Sequence, residues 1–111
     1  MTIQYKSETF NLTTTNLTTV LTINTTSVAI VKMVQASHAN ASNVDVDLFL
    51  KKSGGSDVEI SHAQLNKTTE NLVKESLNLE AGDVIKVQAG TANEITGAVS
   101  YALIDRQNEN G

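Results

Sequence analysis

Cysteine, proline and tryptophan are all absent from this chain of 111 residues, and only four aromatics occur: Tyr5, Phe10, Phe49 and Tyr101. Without cysteine there is no disulfide framework, no thiol nucleophile and no thiolate metal site. Arginine occurs once, at Arg106, and the formal net charge is −4. The basic footprint that gathers nucleic acid is therefore missing. No apolar run approaches the ~20 residues of a membrane-spanning helix, and no secretory pattern precedes the first polar residues. The expectation is a chain with neither nucleic-acid nor membrane partners and with no cofactor.

What is abundant is threonine, asparagine and serine, at 14, 11 and 9 positions. The length suits one domain that buries roughly two-thirds of its unfolded surface around a single core. Residues 1–16 are polar and weakly patterned, with Ile3, Tyr5, Phe10 and Leu12 as the larger apolar points. They read as an edge strand or an arm that orders against a neighbour. Residues 17–105 read as the domain proper, and 106–111 as a polar tail.

Within the domain, short apolar runs alternate with turn formers. Residues 28–36 are apolar on both faces at first, as in a strand inside a sandwich. In residues 44–52, Val44, Val46, Leu48 and Leu50 alternate with Asp45, Asp47, Phe49 and Lys51, so period two places the aliphatic set inward. Ser53-Gly54-Gly55-Ser56 reads as a hairpin turn. Beyond it, Val58 and Ile60 are expected inward, with Asp57, Glu59 and Ser61 outward. Residues 64–74 fit either a short helix or a loop leading into a strand. Leu77 and Leu79, then 84–89 and 95–105, alternate again, with Val99, Tyr101 and Leu103 on one face. Strands at such spacing predict an all-β fold: an antiparallel β-sandwich of about eight strands, Ig-like or jelly-roll. With no proline, exposed strand edges must be blunted by charge, by bulges or by pairing with another chain.

Candidate chemistry is sparse. His38 falls in a predicted loop and His62 just after a strand; they could pair on a metal only if the fold joined them, with Asp57 or Glu59 nearby. Their spacing matches no metal motif, and two solvent-facing imidazoles are expected. Asp45, Asp47, Asp57 and Glu59 are expected on one solvated hairpin face, separated by Lys51 and Lys52. Such a face lacks the desolvation that prepares a carboxyl for acid–base work, so a weak cation site is the most it offers. Gly54-Gly55 and Ala81-Gly82-Asp83 are turns and not phosphate cradles, since neither stands between a strand and a helix. No serine elbow is present. The sequons at Asn11, Asn16, Asn24, Asn40 and Asn66 follow from abundant Asn and Thr. Phe49, an aromatic on a charged face, is expected to contact a partner or pack between sheets in preference to stacking on a sugar. No catalytic or metal residues are assigned, and the chain is not expected to be an enzyme.

The order of segments then becomes informative. Thr25-Thr26-Ser27-Val28-Ala29-Ile30 leads to Asn43-Val44-Asp45-Val46-Asp47-Leu48. Later come Leu79-Glu80-Ala81-Gly82-Asp83-Val84-Ile85-Lys86-Val87 and Ala98-Val99-Ser100-Tyr101. Over most of its length the chain resembles the small β-sandwich virion proteins of tailed bacteriophages. That resemblance implies a non-catalytic structural component of the virion, assembled in the host bacterial cytoplasm. Foremost is a capsid decoration (cement) protein that binds the major capsid protein lattice, or another virion protein, as a homo-oligomer. A neck or tail accessory protein, or a receptor- or carbohydrate-binding module of a phage fibre, is the alternative. Tyr5, Phe10, Leu12 and Phe49 are the expected partner-binding residues, with 1–16 as the contact arm.

Overall fold

A computed structural model describes residues 2–105; the tail reading for 106–111 lies outside them. The strands are β1 (Thr2–Leu12), β2 (Thr18–Thr22), β3 (Ser27–His38), β4 (Val44–Lys51), β5 (Asp57–Leu65), β6 (Thr68–Asn71), β7 (Leu77–Leu79), β8 (Val84–Ala89) and β9 (Ile95–Asp105). All pairings are antiparallel. Sheet A runs β1-β9-β3-β6, with β7 also on β3, and sheet B runs β2-β8-β4-β5.

The pairings are nested: β1 with β9, β2 with β8, β3 with β6 and β7, β4 with β5. A long hairpin rolled on itself produces this order, so the sandwich is a jelly roll. It differs from the Ig arrangement, in which each sheet draws on other strand neighbours. β6 and β7 share one position along β3, and the buried Leu72 and Val73 lie between them. The ambiguous stretch 64–74 is thus the end of β5, a tight turn through Lys67 at φ 47°, and β6.

The core lies between the sheets and draws on both. Val44, Val46 and Leu48 of β4 meet Ile85, Val87 and Ala89 of β8 on one inner face. Val31, Val34, Val99 and Tyr101 supply the other. Each such side chain contributes roughly 1.5–3 kcal/mol by leaving water.

Two local breaks in period two decide which residues are presented where. Lys32 is an extra residue between Val31 and Met33, so β3 keeps Val31 and Val34 both inward. Ile60 is an extra residue on β5, because Leu48 pairs with Ser61 while Phe49 pairs with Glu59. A bulge of this kind bends its strand and re-aims its side chains. The sequence expectation for β5 is corrected here. Val58 and Ile60 are 56% and 40% exposed, and Ser61 takes the inner register opposite Leu48.

Candidate functional site

The two histidines do not meet. His38, at the end of β3, is buried and is not solvent-facing as expected from its place in a polar stretch. Its Nε2 lies 2.8 Å from the Ser42 carbonyl oxygen and its Nδ1 3.3 Å from that of Glu94. The ring therefore clamps the 39–43 loop against the start of β9. His62 lies on β5 in the other sheet, exposed, and contacts Asp47.

On the outer face of sheet B, however, three ligating groups converge. Asp47 and His62 are cross-strand partners, and the imidazole Nδ1 hydrogen-bonds the Asp47 carboxylate. Glu59 joins them, and the three donor atoms lie within 4.8 Å of one another. A hydrogen bond to the Asp47 carboxylate, then burial and like-charge repulsion, raise the Glu59 carboxyl above its ordinary range. The same carboxylate raises His62, through the hydrogen bond first and its charge second. The remaining acids go elsewhere: Asp45 accepts from Gln64 Nε2 at 3.2 Å, and Asp57 pairs with Lys86 at 3.0 Å. Lys52, expected to separate these acids, instead reaches Asp83 and Glu80. The sequence reading places Glu59 near His62 only in a pairing with His38, and does not join both to Asp47, because residues three apart on a regular strand face opposite ways.

The Ala-Gly-Asp turn holds a second polar cluster, and its geometry is structural. Asp83 is buried and accepts from Lys52 Nζ at 2.5 Å and from the backbone N–H groups of Glu80 (2.8 Å) and Ser53 (3.1 Å). Gly82 has φ 84°, and a Cβ there would stand 2.8 Å from Ser53 Oγ. Its N–H donates to the Ile23 carbonyl, and Ile23 N–H donates to the Asp83 carbonyl. One turn thereby joins the β4–β5 hairpin, the end of β2 and the start of β8.

Among the described residues, two apolar surfaces stand open. A cleft of about 430 Å³ beside β5 is lined by Leu48, Leu50, Ile60, Leu72, Val73 and Leu77. Its polar lining is Ser61, Lys74, Glu75 and Ser76, with no histidine or aspartate among the lining residues. The second surface is the outer face of sheet A. Register places Ile3, Ile104 and Val28 in one row across β1, β9 and β3, and Tyr5, Ala102 and Ile30 in the next. Ile3 is 51% and Tyr5 83% exposed.

Of the partner-binding residues expected from sequence, Tyr5 is thus strongly exposed on a strand edge. Leu12 is buried in the core, and Phe10 is half-buried with its ring over Gly97. Both are occupied within the chain, since β1 pairs with β9 along its whole length. Phe49 is half-buried on the outer face of sheet B, between Lys86 and Glu59, so it does not pack between sheets.

No family model matches the chain, and no curated protein matches it in sequence. Its fold does occur among solved structures. A protein of the capsid of Helicobacter pylori bacteriophage KHP30 superposes with a TM-score of 0.59, at 11% identity, over 94% of this chain and 88% of that one. A subunit of the Bacillus endospore appendages, described as disulfide-linked pili, does so at 0.53 and 11% identity, over 95% and 88%. At such identity the likeness is one of fold: the chain shares a jelly-roll sandwich with proteins of a phage capsid and of a pilus.

Proposed function

We propose that this chain is a non-catalytic structural protein of a virion, a decoration protein that binds the shell lattice through the outer face of sheet A. The observation that carries the reading is an apolar patch in which the exposed Ile3 and Tyr5 stand beside the half-buried Val28, Ile30 and Ile104, around the buried Ala102. Exposed apolar patches on a soluble domain mark surfaces that meet a partner. Supporting it, the two fold relatives described above belong to repeating assemblies. Having no cysteine, the chain would assemble by burial and strand pairing and not by disulfide linkage.

The expected contact arm of residues 1–16 narrows accordingly. Phe10 and Leu12 belong to the sandwich, while Ile3 and Tyr5 at the far end of β1 supply the contact. Mass spectrometry of gradient-purified particles from the producing culture tests this reading. Copies in the hundreds per particle are expected for shell decoration, and a small multiple of six or twelve would reassign the chain to neck or tail. Absence from washed particles overturns the proposal. Added to stripped particles, an Ile3→Ser/Tyr5→Ser variant is expected to rebind at least tenfold more weakly than the parent, and equal rebinding would exclude this face.

A further inference from the structure

We infer that Asp47, Glu59 and His62 form a three-ligand site for a divalent transition ion, of which Zn²⁺ is the best fit, on the outer face of sheet B.

The site is built by the fold. Asp47 and His62 face each other across β4 and β5, and the bulge at Ile60 moves Glu59 onto their side. A regular ladder would set Glu59 opposite Leu50, on the inner face. With the bulge, one imidazole nitrogen and two carboxylates present donor atoms within 4.8 Å of one another. Bonds of about 2.0–2.2 Å to a tetrahedral ion put donors about 3.4 Å apart. The side chains of Glu59 and His62 are exposed and close that difference by small rotations.

Charge points the same way. Two carboxylates stand together here, with His62 as their neighbouring base. The nearby lysine Lys86 is already held by Asp57 at 3.0 Å. A dication satisfies both acids at once, and it is the largest local charge such a site could take. The donor chemistry selects the ion: mixed imidazole and carboxylate suits Zn²⁺ and its transition neighbours, whereas Ca²⁺ and Mg²⁺ call for six or more oxygens. Three protein ligands on an outer sheet face leave a coordination position directed away from the sheet, open to water or to a donor from another molecule.

Calorimetric titration of Zn²⁺ into the untagged full chain tests this. Saturable binding of one ion per chain is expected, with at least a tenfold loss of affinity in each of His62→Ala, Glu59→Gln and Asp47→Asn. NMR of the two imidazoles supplies a second readout: Zn²⁺ should move the His62 resonances and leave those of His38 in place. Thermal melts identify any variant that fails to fold, and for such a variant the imidazole shifts of the parent decide. No saturable binding, binding unchanged in His62→Ala, or Ca²⁺ competing on equal terms would each overturn the inference. None of these results bears on the virion proposal, which rests on the opposite sheet.

Discussion

Burial pushes the Asp83 carboxyl upward, but the Lys52 ammonium and the backbone N–H groups of Glu80 and Ser53 outweigh it, and the group titrates below the ordinary carboxylate range. The unfolded chain, with an ordinary aspartate near 3.9, therefore binds the proton more readily than the folded one. The contribution to stability is complete above that value and is lost as pH falls through the folded pKa. Asp83→Asn is expected to destabilise the domain by about 2 kcal/mol at neutral pH, a fall in Tm of about 10 °C. The difference from the parent should shrink in acid, as pH falls below the ordinary aspartate value near 3.9. Melting curves from pH 2 to 8 check this, and parallel curves throughout would count against the clasp. Gly97 is a separate constraint at this scale: a Cβ there would lie 2.0 Å from the Gln35 carbonyl oxygen and 2.4 Å from Phe10 Cζ. Close approach of the neighbouring strand, and not backbone conformation, requires glycine at that position.

At the scale of elements, β1 and the edges carry the consequences. β1 forms one edge of sheet A and seals the core with Leu12, while Gln4, Lys6 and Glu8, in inward register, stay exposed. Deleting residues 2–12 is expected to abolish the cooperative thermal transition, because it bares Val99 and Tyr101 on the inner face of β9. A truncated chain that melts like the parent would show that β1 is dispensable and restore the free-arm reading. The two edges of sheet B are interrupted without proline. β2 is bulged at Val20, and β5 is bulged at Ile60 and carries Asp57 and Glu59. On β5 the edge bulge is also what assembles the three-ligand cluster.

For the whole molecule, the nested order makes the first strand the partner of the last. Nearly the full chain must close before β1 meets β9, and such non-local topologies fold in milliseconds to seconds. The absence of proline adds a kinetic signature, since no X–Pro bond waits to isomerise over tens of seconds. Stopped-flow refolding is expected to recover the full signal without a phase in that range, however long the chain was held unfolded. A slow phase that grows with time in denaturant would contradict this. The molecule is also elongated, 53 × 26 × 22 Å, and the two apolar rows cross β1, β9 and β3 at one end of these long strands.

Much of the architecture was legible in the sequence because period two and turn residues are local signals. The β4 alternation, the hairpin turn, the Ala-Gly-Asp turn and the inward Val99 and Tyr101 all follow from neighbours a few residues apart. The sites were not legible, since each depends on a long-range pairing or on a one-residue register shift. His38 is buried because the 39–43 loop and Glu94 fold over it. Glu59 reaches Asp47 and His62 because Ile60 is squeezed out of the ladder, and Ile3 and Tyr5 gain apolar neighbours because the last strand lies beside the first. By itself the sequence determined that this would be an antiparallel β-sandwich without disulfides. Which side chains share a face was decided only by tertiary pairing, because a shift of one residue sends every following side chain to the opposite side of the sheet.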